Sequence, residues 1–382
     1  MKIRFVLMII IVLTLYATIN YYIGWHGWQF LSVQFGFQYP ILYWIVYSVI
    51  ALSYMLARLG STILPYRLAS MMRLIGSYWF AIMVYALLLL LIGDAVNGLL
   101  SWTTLEPTTY QFITSCVVIL LIVVICLRGS WNAWNPIIRK YDVQLNKLEN
   151  RVEPLKIAVV SDLHLGHIVE NNYLNILVDR VNAMNVDLIL LPGDVIDDSV
   201  EPFIRKGMAG IMSRMKSRLG TYAVLGNHEY YGGHIDSYVK SMKEHGMHVL
   251  MDESILLDNR IQIVGRKDRT VEGLGVNGRF EVDELLVDLE PSLPIIMMDH
   301  QPHHLDKIAN AGVDVLLSGH THRGQMMPFH WITGRLFELD WGYLKKGNLH
   351  AIVSSGFGTW GPPIRLGSRS EIIELTIRFN PS

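Results

Sequence analysis

The chain has 382 residues, 51% of them hydrophobic and 17% charged, with a mean hydropathy of +0.32 and a formal net charge of -1. That composition is too apolar for an ordinary soluble globule, and the balanced charge gives no whole-chain field for binding nucleic acid. The two cysteines, Cys116 and Cys126, are too few for a disulfide framework.

The apolar excess lies before residue 128. Four runs, Phe5 to Tyr22, Tyr39 to Ala57, Ile75 to Gly93 and Tyr110 to Leu127, each come close to the roughly 20 residues that cross a bilayer as a helix. Lys2 and Arg4 precede the first run as in a signal peptide. The continuation Ala17-Thr18-Ile19-Asn20-Tyr21 lacks a small-x-small cleavage site, so a retained span is expected. Trp25, Trp28, Trp44, Trp79 and Trp102 sit near run ends, as interfacial anchors do.

Positive charge alternates between connections. Lys2 and Arg4 precede the first span, residues 23–38 carry no Lys or Arg, and Arg58, Arg67 and Arg73 follow the second span. The third connection, with Asp94 and Glu106, is again free of cations, and Arg128, Arg139, Lys140, Lys147 and Arg151 follow the fourth. The pattern predicts both termini in the cytoplasm, with four passes through the membrane. No ionisable residue lies well inside a run; Asp94 is at a run end and reads as interfacial. The spans therefore read as an anchor.

The expected division is 1–127 as the anchor, 128–150 as a juxtamembrane link and 151–382 as a globular domain. Trp131 and Trp134 among basic residues suit the interface, and Ile137 to Leu145 alternates enough for an edge strand. Beyond it, strand-like runs (Lys156 to Val160, Leu188 to Leu191, Thr221 to Leu225, Ile295 to Met298, Val313 to Leu317) alternate with helical ones (Asn172 to Met184, Pro202 to Lys216, Ile235 to His245, His303 to Ala311). This order predicts βαβ units. Further strands at Met247 to Leu250, Ile255 to Leu257, Gln262 to Val264, Leu349 to Ser354 and Glu371 to Arg378 make two packed β-sheets flanked by helices the simplest α/β architecture.

Each strand-like run in the first set ends in a polar block. The blocks are Ser161-Asp162-Leu163-His164, Gly193-Asp194-Val195-Ile196-Asp197, Gly226-Asn227-His228-Glu229, Asp299-His300-Gln301-Pro302 and Gly319-His320-Thr321-His322-Arg323-Gly324-Gln325. Loops at the carboxyl ends of strands are where open α/β sheets build their sites. The spacings Asp162-x-His164 and His320-x-His322 each let one loop offer two ligands. Asp162, His164, Asp194, Asn227, His300, His320 and His322 make seven donors, enough for two ions with Asp194 serving both. Oxygen plus imidazole without thiolate suits Mn, Fe or Zn. Such a pair activates water for attack on phosphorus, and His228, beside Asn227 but not needed as a ligand, is the candidate catalytic acid or charge-stabilising group.

These blocks, in this order, resemble the calcineurin-like metallophosphoesterase superfamily over residues 155–378, with the pattern DxH, GDxxD, GNHE/D, a lone H and GHxH. The GHTHxGQ block and the tail from Gly356 to Pro363 are similar to its bacterial membrane-associated branch. The resemblance implies one metal on Asp162, His164, Asp194 and His322, another on Asp194, Asn227, His300 and His320, and His228 as acid or phosphate contact. Arg323 departs from the Gly of many relatives and offers a phosphate-binding guanidinium or only a surface charge. Arg266, Lys267 and Arg269 read equally as a solvated loop and as a receiver of substrate phosphate. Asp197 and Glu229 are candidates for orienting the ligands or, nearly equally, for turn formation and capping, while His167, His234, His303, His304, His330 and His350 read as surface or rim residues. The expected function is a membrane-anchored phosphodiesterase or pyrophosphatase acting on a lipid-linked or membrane-proximal substrate. The alternatives are a phosphomonoesterase for nucleotides or phosphoproteins, and a non-catalytic metal-binding scaffold on a membrane sensor. The bilayer is the expected partner, and no nucleic acid is expected.

Overall fold

The computed structural model describes residues 2–60, 63–147, 153–274 and 278–379. Arg151, counted above for orientation, and the predicted boundary at 150 and 151 lie outside the described residues. The chain divides into two compact units, Met1–Ser130 with Gly361–Ile364, and Trp131–Trp360 with Arg365–Ser382.

The first unit holds helices α1 (Lys2–Phe35), α2 (Pro40–Leu59) and α3 (Tyr66–Leu100), together with most of α4 (Pro107–Trp134). All four are long and apolar enough to cross a membrane. Three of them, α1, α3 and α4, extend well beyond the predicted runs because hydropathy marks only the apolar middle. The ends, with Trp25, Trp28 and Gln34 on α1 and Trp131 and Trp134 on α4, stay helical beyond it. The first residues of the predicted link, 128–134, accordingly continue α4.

Helices in lipid gain little from burying apolar surface against one another, so close packing and polar contacts hold them together. Ala51, Ser53 and Ala57 on α2 are buried, as are Ala69, Gly76, Ser77 and Ala81 on α3. A Cβ on Gly76 would run into the backbone nitrogen of Tyr54, so this crossing requires glycine. At the centre, Asn20 ties three helices together. Trp79 Nε1 donates to its side-chain oxygen (3.0 Å), Tyr47 donates to its carbonyl (2.7 Å), and its own amide donates to the Tyr16 carbonyl (2.8 Å).

The second unit is a sandwich of two six-stranded sheets. The strands are β1 (Ile137–Leu145), β2 (Leu155–Val159), β3 (Leu188–Pro192), β4 (Thr221–Val224), β5 (Met247–Val249), β6 (Glu253–Leu257), β7 (Ile261–Gly265), β8 (Ile295–Met298), β9 (Val315–Ser318), β10 (Gly342–Lys346), β11 (Leu349–Val353) and β12 (Glu371–Phe379). One sheet has the order β1-β12-β2-β3-β4-β5, the other β10-β11-β9-β8-β7-β6. β2 to β5 run parallel, as do β7, β8, β9 and β11. β1 is the edge strand read from its alternation, parallel to β12.

The two-residue period of a strand sorts its side chains between layers. Leu188 and Leu190 of β3 and Ile296 and Met298 of β8 meet between the sheets. Ile189 and Leu191 face the helical layer over the first sheet, whereas Ile295 and Met297 face the other layer. Strands buried on both sides read as continuous apolar runs, which is why the alternating-strand signal is absent there. The helical run predicted from Pro202 to Lys216 is two short helices, Val200–Arg205 and Met208–Met212. Gly207 between them takes a left-handed conformation (φ +60°) that ends the first.

Candidate metal centre

The five polar blocks follow five parallel strands. Asp162 and His164 come after β2, Asp194 after β3, Asn227 and His228 after β4, His300 after β8, and His320 and His322 after β9. The first three strands belong to one sheet and the last two to the other, so each sheet supplies part of the cluster. Asp162, His164, Asp194, His320 and His322 all have positive φ, between +47° and +71°. L-residues adopt that region at a cost of order 1–3 kcal/mol each, which persists only where surroundings demand it.

Around Asp194 the donor atoms converge. Its Oδ2 lies 3.0 Å from His300 Nε2 and 4.0 Å from His164 Nε2, while its Oδ1 accepts from the His228 backbone N–H (2.9 Å). Asn227 Oδ1 sits 2.7 Å from His320 Nδ1 and 3.2 Å from His300 Nε2. On the other side His322 Nε2 lies 3.0 Å from His164 Nε2 and 3.5 Å from Asp162 Oδ1. Four sets gather with their donor atoms within 4.8 Å of one another: Asp162, His164 and His322; His164, Asp194 and His228; Asp194, His300 and His320; and, at the rim, Asp197, Asp198 and His228. All seven predicted ligands are therefore together, with His228 among them.

The chemistry of these atoms fits a cation pair. Among the described residues, Asp162 Oδ2 and His164 Nδ1 are buried without a hydrogen-bond partner, a cost that a protein does not carry for stability. Burial, reinforced by His228, pushes the His164 imidazole down to about 3. Burial and His300 push His320 down to about 4, and burial with His164 and Arg365 holds His322 well below its ordinary value. Neutral imidazoles are the form that binds metal. His300 differs: burial opposes its protonation, but Asp194 and Asp162 hold it well above the ordinary value. Its Nδ1 donates to the Pro192 carbonyl (2.8 Å), which leaves Nε2 turned towards the cluster.

The surroundings fix these loops. The Glu229 carboxylate accepts from the backbone N–H groups of Gly226 (2.7 Å), Ile196 (2.9 Å) and Asp194 (3.2 Å), clamping two of the loops together. A Cβ on Gly226 would collide with the Asp194 carboxylate, so close approach requires glycine there. His228 Nδ1 pairs with Asp198 (2.7 Å) and lies 3.6 Å from Asp197. Burial opposes protonation of His228, but Asp198, Asp194 and Asp197 outweigh it and bring the imidazole up to about 9.

Two supports are absent from the sequence reading. Asp198 was overshadowed by its neighbour Asp197, which fits the GDxxD spacing. Arg365, fully buried, donates to the carbonyls of Gly358 (2.6 Å) and Gly356 (3.2 Å) and lies 3.2 Å from His322 Nδ1. No periodicity marks a single arginine in a loop.

The three arginines proposed for substrate are placed differently. Arg266 is buried, with its guanidinium on the Phe280 carbonyl (3.0 and 2.8 Å) and Asp299 (3.3 Å), so it braces the loop that carries His300. Arg269 is exposed and lies 3.6 Å from Glu272. Arg323 stacks on Trp341, 4.1 Å from the ring centroid, next to His322. Among the predicted rim histidines, His350 is instead buried in β11, where its Nδ1 meets the Tyr343 hydroxyl (2.8 Å); that strand is covered on both faces.

Residues 155–324 match the family model described as calcineurin-like phosphoesterase. An uncharacterized metallophosphoesterase of Campylobacter jejuni is 31% identical over 300 residues, which cover 75% of this chain and 76% of that protein. The chain belongs to the calcineurin-like metallophosphoesterases. Within this family an uncharacterized metallophosphoesterase of Helicobacter pylori is 32% identical over 247 residues, and there the match spans 63% of this chain but only 64% of the relative. A "Transmembrane protein with metallophosphoesterase domain" of Bos taurus is 28% identical over 327 residues, 80% of this chain and 73% of its own. Metallophosphoesterase relatives of this chain therefore occur in animals as well as in bacteria.

Proposed function

We propose that the chain is a membrane-anchored, metal-dependent phosphoesterase acting on phosphodiester or pyrophosphate bonds of a lipid-linked or membrane-proximal substrate. The observation that carries the reading is the convergence of seven metal-type donors, two of them with buried atoms lacking any hydrogen-bond partner. Asp162, His164, Asp194 and His322 would hold one divalent ion, and Asp194, Asn227, His300 and His320 the other. Mn, Fe and Zn all suit the oxygen and imidazole set. When bound, such a pair supplies Lewis acidity towards phosphoryl oxygens and a water nucleophile at neutral pH.

The remaining roles fall to the chain itself. His228 donates a proton to the departing oxygen through Nε2, while Asp198 holds Nδ1 and so orients the ring. Arg323 contacts a substrate phosphate from its stacked position on Trp341, and Arg269 lends a more distant positive charge. Four apolar helices on the same chain support a membrane-proximal substrate, since they would tether the phosphoesterase unit to lipid. Purified full-length protein with Mn2+ is expected to turn over bis-p-nitrophenyl phosphate faster than p-nitrophenyl phosphate. Preference for the monoester would replace this substrate class by a phosphomonoesterase, and inactivity on both would favour the scaffold.

The orientation reading places the phosphoesterase unit in the cytoplasm, with the anchor in the inner membrane of a bacterial cell. It is supported by the Arg58, Arg67 and Arg73 connection alternating with cation-free ones. An alkaline phosphatase fused after the last residue is expected to be inactive in cells, and a green fluorescent protein fused there to be fluorescent. The opposite pair of outcomes would invert the topology.

A further inference from the structure

The end of the helix unit where α1 and α3 finish and α4 begins contains a cavity of about 310 Å³, at the lower end of small-ligand pockets. His26, Asp94 and Gln111, which line it, lie within three turns of those helix ends, so they share one face of the bundle. At 1.5 Å per residue, α1 and α3 each run about 50 Å against a hydrocarbon core of about 30 Å. This end therefore reaches the headgroup layer. Trp25 and Trp102 at the same end match the aromatic belt found there.

The lining is polar where an anchor has no need of polarity. The Asp94 Oδ2 accepts from the Tyr22 hydroxyl (2.6 Å) and lies 3.3 Å from His26 Nε2, so the carboxylate is held in place. Its Oδ1 has no hydrogen-bond partner among the described residues, nor have the side-chain amides of Gln29, Gln34 and Gln111. The carboxylate and these amides line one cavity, and each amide offers a donor and an acceptor.

The chemistry selects the ligand class. Residues 23–38 and 94–127 contain no Lys or Arg, Asp94 repels anions, and the one histidine of the lining, His26, already faces Asp94, so the cavity disfavours a phosphate group. A carboxylate oxygen and several amides beside the Trp25 indole match hydroxyls, which both donate and accept, on a ring with an apolar face. We infer that this cavity is a binding site for a polyhydroxylated group, that is, the sugar headgroup of a glycolipid or a free sugar of the same chemistry. The site shares no residue with the phosphoesterase centre, and the inference does not rest on that centre's activity.

The test uses the full chain in phosphatidylcholine nanodiscs containing equal amounts of glucosyl-diacylglycerol and diacylglycerol, with retained lipids read by native mass spectrometry. Selective retention of the glucosyl lipid is expected, falling about tenfold or more in Asp94→Asn and in Gln111→Leu. Gln111 is exposed and makes no hydrogen bond among the described residues, so its variant keeps the test meaningful if Asp94→Asn fails to fold. Displacement of the lipid by millimolar free glucose also supports the site and identifies a soluble source. Equal retention of all three lipids, or retention unchanged in both variants, overturns the proposal.

Discussion

Replacing Asp194 by Asn is expected to remove both metal ions and reduce turnover by more than the roughly 10–100-fold typical of residues that only orient ligands. The reason is the position of this carboxylate between the two halves of the cluster. One oxygen lies 3.0 Å from His300 Nε2 and 4.0 Å from His164 Nε2, and the other takes the His228 backbone N–H. An amide cannot present two anionic oxygens to two cations. Nor can it balance a protonated His300 in the metal-free protein, and breaking a buried ion pair costs about 3–5 kcal/mol. The variant should thus lose affinity and stability together. Thermal unfolding read with and without Mn2+ separates them: saturation at about 100-fold above Kd stabilises the native chain by about 2.7 kcal/mol, and the variant should show no such gain. Asp197→Asn provides the contrast, because that side chain is partly exposed and 3.9 Å from His164 Nδ1. It should bind both ions with a loss inside the orienting range. Two bound metals with near-normal turnover in Asp194→Asn would end its assignment as the shared ligand.

The cluster was legible in the sequence because chemistry and topology spoke together. Strands buried on both faces end in short polar blocks, and residue type within each block picked out the side chains that the fold brings together, without knowledge of their distances. What stayed hidden was whatever depends on three-dimensional proximity alone. Arg365 sits far along the chain in a loop with no pattern, yet it is buried against the carbonyls of Gly356 and Gly358. Arg266 carried a basic-cluster signal that its burial against Asp299 reinterprets as a brace. In the helices, hydropathy found the four runs but understated their length. It also treated Asp94 as a lone interfacial acid, whereas Tyr22 and His26, one helical turn apart, hold it from α1. Asn20 was missed altogether, since an amide raises no charge alarm, although it ties together three helices. Hydrophobic patterning reports the layer a residue belongs to, and only packing reports its partner.

His228→Ala is expected to keep both metals and the fold while lowering turnover by about 10²–10⁴-fold, the usual contribution of a positioned acid. Its side chain lies at the cluster, edge-on to the His164 ring at 4.7 Å between centroids, whereas its backbone N–H, which alanine retains, makes the bond to Asp194. Nδ1 is held by Asp198, and Nε2 makes no hydrogen bond among the described residues, which leaves it available to a departing oxygen. The size of the loss should follow the leaving group. A p-nitrophenolate departs with little assistance, but an alkoxide from a sugar or glycerol requires the proton, so alkyl esters should suffer more than aryl ones. Asp198→Asn should reproduce the same leaving-group trend at smaller amplitude, because it acts only by orienting the ring. A steady-state comparison of bis-p-nitrophenyl phosphate with an alkyl diester, alongside metal analysis of each variant, distinguishes the roles. Equal damage on both substrates would make His228 a phosphate contact, and loss of metal would make it part of the cluster's scaffold; either result removes the acid.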